Sequence, residues 1–385
     1  MSAGTDLMIL ESMFCDNEQD PEVLAEYFRR FAHTLRSVLR QELPEDLELL
    51  VTIYMSSDKR RWIDHAWSII DETELPPRMV VRIWEYAHPP EGYPAGQGVD
   101  RLKSPNKHAP YRDRLFQDAQ LYVDHSVYRT VIRVAVDDDD LWLPQHAAEL
   151  HRIASEGHRL FPEAKVLALG PVNCLVGYLT PDGVEVDVVS LRRTLTGDKF
   201  YSVEHPSVQD LATLSPWSAP EILDDEMAAR LAERGITLRY VKGNRPGFVY
   251  LRWGRNLSNY RKDFHVAHTF GTFRTGGVDE LAAVGSEALP EVEPELEFGT
   301  FGQNLLVRAA RAADGSVRYS TNFESLRLPG AEICFYLLQD GRRVGVRAYG
   351  RTGSGVFPDA PENATVKAFV RNEGGIFLRE ESAPT

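Results

Sequence analysis

Short apolar runs alternate with segments of helical periodicity through the first half of the chain. The apolar runs predict strands, and the intervening segments repeat apolar residues every three or four positions, as Leu24, Phe28 and Phe31 do. Strict alternation of strand and helix predicts a parallel sheet covered by helices on both faces, with ligands at the carboxyl ends of the strands. The predicted strands are 7–14, 47–55, 79–86 and 128–136, and the predicted helices 21–39, 61–70, 111–124 and 144–155.

The pattern changes after residue 165. Strand-like runs follow one another there, two of them joined by the hairpin turn 180–183, which indicates a mixed sheet. Residues 279–298 are rich in Glu and Pro and predict a linker. Beyond 299 only strand patterns with short turns remain, and these predict a small antiparallel β-sandwich. We therefore expect a catalytic domain over 1–278, a linker over 279–298 and an accessory sandwich over 299–385.

Composition narrows the function classes. The 385 residues carry 43 Lys and Arg against 57 Asp and Glu, a formal charge of −14, which disfavours nucleic acid as a partner. No transmembrane segment or signal peptide is recognisable, so a cytoplasmic location is expected. Cys15, Cys174 and Cys334 are too far apart for a zinc pair. Three histidines near one predicted helix are interpreted as scattered surface residues: His146, His151 and His158.

The most informative stretch is an acidic run. The apolar strand ending at Val136 leads directly into Asp137, Asp138, Asp139 and Asp140. Four like charges repel one another, and hard divalent cations such as Mg²⁺ or Mn²⁺ prefer carboxylate and phosphate oxygens. The run therefore predicts a metal that bridges the two phosphates of a nucleotide and neutralises the departing diphosphate. The alternative is a solvated loop that caps the next helix.

Residues 133–141 resemble the DxD-containing strand end of GT-A fold glycosyltransferases, in particular the bacterial rhamnosyltransferase group. Three further segments are similar to elements of that family: 200–204, 215–220 and 253–259. The resemblance covers residues 5–262 and departs at Trp253, where the family has His. It implies an α/β fold with a GT-A-like, Rossmann-type mixed sheet flanked by helices, beside the C-terminal antiparallel β-sandwich.

The resemblance also implies a metal and donor site. Asp139 would bind the metal and Asp137 the metal or the donor's ribose. Either His265 or His268 would replace the missing His ligand, or aspartate and phosphate alone would hold the ion. Asp138 and Asp140 would be outer groups or a helix cap. Three more residues are assigned to the donor, Asp58 to its base and the two arginines to its diphosphate: Asp58, Arg114 and Arg133. An exposed loop Asp and ordinary surface or ion-pair arginines are the alternatives.

Catalysis and acceptor binding would fall to other residues. Glu204 is the expected base for the acceptor hydroxyl, and Asp225 is its rival, although a helix cap explains Asp225 equally well. Three aromatic residues would stack on acceptor sugars unless they are core residues: Trp217, Trp253 and Tyr260. We expect the β-sandwich to contact acceptor glycan, dock to other proteins or support homo-oligomers.

These observations favour one function over two others. The favoured one is a hexosyltransferase-type enzyme that uses Mn²⁺ or Mg²⁺ to move a sugar from a nucleotide-sugar donor to a glycan or glycolipid acceptor in bacterial surface polysaccharide synthesis. A non-catalytic carbohydrate-binding or assembly protein would use the acidic run only as a cap or Ca²⁺ site. A metal-dependent phosphohydrolase or nucleotidyltransferase would need further acidic clusters on other strands.

Overall fold

The fold is described by a computed structural model. It describes residues 4–14, 20–86, 115, 118–191, 199–207, 211, 214, 231–252, 266–290, 295–299, 305, 307–326, 330–372 and 375–384. Within these ranges, no helix combines the length and the apolar character that a bilayer span requires.

Four parallel strands form one half of an eight-stranded main sheet. In spatial order they are β3 (Met79–Tyr86), β2 (Leu47–Ser56), β1 (Asp6–Met13) and β4 (Thr130–Val136). Ser12 of β1 is in register with Val136 of β4, and Met13 with Tyr54 of β2. The carboxyl ends of β1, β2 and β4 therefore meet at one edge of the sheet, which we call the carboxyl edge.

The other half of the main sheet reverses direction. It contains β9 (Phe200–Glu204), β6 (Val166–Pro171), β10 (Ile236–Lys242) and β13 (Glu297–Gly299), with β9 next to β4. Both β9 and β13 run antiparallel to their neighbours. The sheet is thus mixed, as the changed pattern after residue 165 predicts.

A second sheet, which we call the side sheet, has five strands. Its order is β12 (Val266–Thr275), β8 (Gly183–Leu191), β7 (Asn173–Thr180), β11 (Phe248–Arg252) and β5 (Leu141–Trp142). The two-residue strand β5 follows β4 after only the acidic run. Asp137–Asp140 is therefore one of the connections between the two sheets.

Helices cover one face of the main sheet. They are α1 (Pro21–Leu39), α2 (Arg60–Asp71) and α3 (His146–Leu160), and their buried residues form one cluster with Met8, Leu10 and Val134. Asp20 caps α1 by accepting the Glu22 backbone N–H at 2.9 Å. Helix α3 starts two residues later than predicted because Pro144 and Gln145 form a turn, closed by the His146 N–H bonding to the Leu143 carbonyl at 3.0 Å. The prediction that its histidines lie at the surface is wrong: His146, His151 and His158 are all buried.

The C-terminal region consists of two antiparallel sheets. One contains β14 (Val307–Arg311), β15 (Val317–Thr321) and β18 (Ser354–Phe357). The other contains β17 (Arg342–Gly350), β16 (Glu332–Gln339), β19 (Thr365–Asn372) and β20 (Gly375–Ser382). The Tyr319 and Phe335 rings join them with centroids 4.3 Å apart. The predicted fold class, a mixed α/β sheet followed by an antiparallel β-sandwich, is confirmed.

The predicted linker contains packed residues. Leu281 of the short helix α4 (Val278–Leu281) and Ala282 are buried against the side sheet. The ring centroids of Phe298 in β13 and of Phe161 are 6.1 Å apart. Both rings belong to a hydrophobic cluster that also contains core residues of the sandwich. Between Ala282 and Phe298, Glu287 and Ala288 are exposed, whereas Val284 and Leu289 are half-buried against the side sheet. The division at 278 and 299 remains a prediction, and the packing is continuous across it.

Candidate functional site

The acidic run lies at the carboxyl edge of the main sheet. Asp137, Asp138 and Asp139 are half-buried, whereas Asp140 is 1% exposed. The Asp140 carboxylate accepts the backbone N–H of Leu251 at 3.3 Å, which ties the run to β11. The chain therefore holds Asp140 as a structural anchor and leaves three partly accessible carboxylates beside it.

These carboxylates disfavour one another's charged forms. Burial raises the pKa of Asp139 well above its usual range, Asp138 and Asp137 add to the effect, and Arg30 of α1 acts in the opposite direction. Burial likewise raises the pKa of Asp140, with Asp139 and Asp137 adding to it. A divalent cation would oppose these shifts because it stabilises the ionised carboxylates.

The donor set fits such a cation. Carboxylate oxygens are the hard ligands that Mg²⁺ and Mn²⁺ take, usually together with water and substrate phosphates. Arg30 adds positive charge beside the run, but its guanidinium also forms an ion pair with Glu26. Asp137 and Asp139 are the alternate pair that the family resemblance assigns to the metal.

Asp58 shares the edge with the acidic run. It lies in a single 3₁₀ turn directly after β2 and is exposed, with one carboxylate oxygen 3.9 Å from the Lys59 ammonium. Because β1 lies between β2 and β4, Asp58 and Asp137 flank the end of one strand. This placement is compatible with the predicted contact to a nucleoside base.

Arg133 does not reach the carboxyl edge, which corrects the predicted diphosphate contact. Its side chain is fully buried on the sheet face opposite the helices. One guanidinium nitrogen donates to the Glu11 carboxylate at 2.6 Å, and another donates to the backbone carbonyls of Leu211, at 2.6 Å, and Leu214. Alternation along β4 directs this side chain inward to Glu11, so the arginine is committed to an internal ion pair.

Glu204 lies at the opposite end of β4, which does not fit its predicted role as the base of this site. Because β9 is antiparallel to β4, Glu204 is in register with Thr130, the first residue of β4. That strand is 7 residues long, which at about 3.3 Å per residue separates Glu204 from Asp137 by about 23 Å. Its neighbour is His158, whose Nδ1 lies 3.7 Å from the carboxylate.

The remaining predicted site residues lie outside the described ranges. They are Arg114, Trp217, Asp225, Trp253, Tyr260 and His265. Their assignments as donor-binding, acceptor-binding, catalytic and metal-binding residues stay predictions.

A second cluster occupies the amino end of the main sheet. Ligand atoms of Asp6, Asp46 and His151 lie within 4.8 Å of one another and could hold a metal ion. Arg129 already donates to Asp6 through Nε at 3.0 Å, and His151 Nε2 lies 2.8 Å from the same carboxylate. Burial acts to raise the pKa of Asp6, but His151 and Arg129 outweigh it and the pKa is lowered. Arg129 thus already offsets the charge here.

Sequence reasoning missed a set of side chains beside the acidic run. Tyr250 and Arg252 of β11, with Tyr178 of β7, are half-buried on one face of the side sheet. Burial raises the pKa of Tyr250, and the carboxylates of Asp140, Asp139 and Asp137 add to that rise. The alternation of Tyr250 and Arg252 with buried Val249 and Leu251 was the available signal.

Comparisons with known proteins give limited similarity. No family model matches the chain, and no curated protein matches it. The crystal structure of mouse xyloside xylosyltransferase 1 in its apo form is similar over 60% of this chain and 76% of that chain, with 13% identity and a TM-score of 0.29. The function is therefore inferred from the residues of the site.

Proposed function

We propose that the chain is a metal-dependent glycosyltransferase. It would move a sugar from a nucleotide-sugar donor to a glycan or glycolipid acceptor of bacterial surface polysaccharide. The observation that carries the proposal is the acidic run: crowded carboxylates at the carboxyl edge of parallel strands, where α/β folds bind ligands.

Asp137 and Asp139 would hold Mn²⁺ or Mg²⁺. When bound, the ion supplies positive charge to the leaving diphosphate. Asp140 keeps the run in place through the Leu251 N–H, and Asp58, on the far side of β1, would contact the nucleoside base. In the transfer, the bond from the sugar's anomeric carbon to the diphosphate breaks, a bond to the acceptor oxygen forms, and the acceptor proton leaves to a base.

This proposal assigns the general base that accepts the acceptor proton to none of the described residues. Glu204 is at the wrong end of β4, so Asp225, which lies outside the described ranges, is the predicted carboxylate that remains a candidate. A carboxylate qualifies only if it comes within hydrogen-bond reach of the acceptor hydroxyl.

The test is calorimetric titration with UDP and with GDP, each with Mn²⁺. The parent should bind one of them only when the metal is present, and Asp139→Asn should lose that metal-dependent binding. The matched control is Asp182→Asn, which makes the same chemical change at an exposed hairpin turn and should bind like the parent.

Two results would contradict the proposal. Equal binding by Asp139→Asn and the parent would remove the metal from this run. Metal-dependent release of inorganic phosphate from nucleotides, without sugar transfer, would favour the phosphohydrolase alternative.

A further inference from the structure

Three side chains form a continuous strip on the side sheet. Arg252 of β11 is in register with Tyr178 of β7, and Tyr250 precedes Arg252 by two residues on the same face. The Arg252 guanidinium carbon lies 5.6 Å from the centre of the Tyr178 ring and 5.9 Å from that of Tyr250. We call Tyr178, Tyr250 and Arg252 the tyrosine ledge.

The ledge lies on the face of its sheet that adjoins the main core, because Tyr178 and Tyr250 pack against the cluster that contains Val176. Val249 and Leu251, which alternate with the ledge residues along β11, are fully buried in an apolar cluster with Leu175 and Val186. The three ledge residues are half-buried on the opposite face. Strand alternation therefore leaves aromatic and cationic groups partly open to solvent on one face, where a ligand can contact them.

The ledge adjoins the acidic run. Strand β5 pairs antiparallel with β11 so that Leu141 lies opposite Val249. Asp140 directly precedes Leu141, and its carboxylate accepts the N–H of Leu251, the residue between Tyr250 and Arg252. A molecule resting on the ledge would therefore be next to the carboxylates that we assign to the metal and donor.

We propose that the tyrosine ledge binds the acceptor sugar of the transfer reaction, an inference that rests on the proposed function. Tyrosine rings offer apolar faces to the C–H groups of a sugar ring, and the phenol and guanidinium groups can bond to its hydroxyls. The first sugar is expected to be neutral. The reason is that acidic side chains flank the ledge: the acidic run lies on one side, and Glu185 and Asp187 of β8 lie on the other. Arg274 donates to Glu185, and Thr272 donates to Asp187.

Saturation-transfer NMR with methyl glycosides of neutral hexoses and of a uronic acid tests the ledge. The parent should bind at least one neutral glycoside more tightly than the uronic one. Tyr178→Ala should weaken that binding by about threefold to tenfold, the range expected for one lost aromatic contact. Tyr178→Phe keeps the ring and should stay within about twofold of the parent.

The matched control is Tyr336→Ala. Tyr336 also lies under an arginine, with the Arg343 guanidinium carbon 5.0 Å from its ring centre, but in the C-terminal sandwich. Binding of the glycosides by this variant should equal that of the parent. Each variant is also titrated with UDP and GDP plus Mn²⁺, and Tyr178→Ala should bind them as the parent does.

The two titrations separate the ledge from the transferase function. Unchanged glycoside binding by Tyr178→Ala, or no glycoside binding by the parent, overturns the ledge even if nucleotide binding is intact. Glycoside binding that depends on Tyr178 in a protein that binds no nucleotide would support the ledge as a sugar site and overturn the transferase.

Discussion

The variant Arg133→Met tests whether Arg133 stabilises the fold or binds the nucleotide-sugar donor. Methionine fills the space with a long, flexible apolar side chain, but it removes the positive charge and every hydrogen-bond donor of the guanidinium group. Among the described residues, the fully buried Glu11 carboxylate would keep the Tyr54 hydroxyl at 2.8 Å and the Gln120 amide at 3.2 Å. The carbonyls of Leu211 and Leu214 would lose the nitrogen that donates to both.

The expected cost is large because every lost contact is buried. Removing one partner of a buried ion pair costs about 3 to 5 kcal/mol, since an uncompensated charge remains. Two carbonyls without their donor add about 1 kcal/mol or more each. We therefore expect Arg133→Met to lower the free energy of unfolding by about 4 kcal/mol or more. Glu11→Gln combined with Arg133→Met should cost less than the two single changes added together, by about 2 kcal/mol.

Urea unfolding followed by circular dichroism measures these free energies, and titration with nucleoside diphosphate and Mn²⁺ measures donor binding. The folded fraction of Arg133→Met should bind nucleotide like the parent. A variant that unfolds within about 1 kcal/mol of the parent but loses nucleotide affinity would refute the structural reading. Arg133 would then bind the diphosphate of the nucleotide-sugar donor, as its sequence position predicts.

Three further predictions follow from the structure. Glu204→Gln should keep parental nucleotide and metal affinity and transfer rate in a coupled assay, because β9 places it far from the acidic run; a loss of about a hundredfold, typical of a removed general base, would restore its catalytic role. Burial lowers the pKa of His146 to about 3 from an ordinary value of 6.5, so the unfolded chain binds its proton first. The contribution of His146 to the free energy of unfolding should therefore fall by up to about 1.4 kcal/mol per pH unit as the pH drops from about 6.5 toward 3. Thermal melts at several pH values should show that His146→Leu lacks this contribution, as a smaller change than the parent shows over that range. Limited proteolysis, read by mass spectrometry, should cut first near exposed Glu287, and uniform resistance over 279–298 would contradict a linker.

Local patterns predicted strands β1 to β4 and helices α1 and α2 well, whereas part of the predicted helix 111–124 lies outside the described residues. Strands β1 to β4 are short runs of apolar residues, and α1 carries Leu24, Phe28 and Phe31 on its buried face. Such runs have few other ways to bury their side chains, so periodicity specifies them. The acidic run was placed at a strand end for the same reason, and the structure has it there.

The direction of β9 could not be predicted from its residues. Phe200–Glu204 has the same local pattern whether it runs parallel or antiparallel, yet that choice moves Glu204 from one end of the main sheet to the other. The partner of Arg133 was hidden similarly, because Glu11 is 122 residues away in the chain and meets it only through the pairing of β1 with β4. Both errors concern long-range pairing.

The packing across residue 299 bears on how this protein could evolve. Phe161 after α3 and Phe298 of β13 share one cluster with the sandwich residues Phe335 and Val370, and β20 runs beside both α3 and β13. Recombination that transplanted 299–385 onto another enzyme would carry half of an apolar interface and leave the other half exposed. The C-terminal sheets are therefore expected to be inherited with the first 299 residues as one piece, and to change by matched substitutions on both sides.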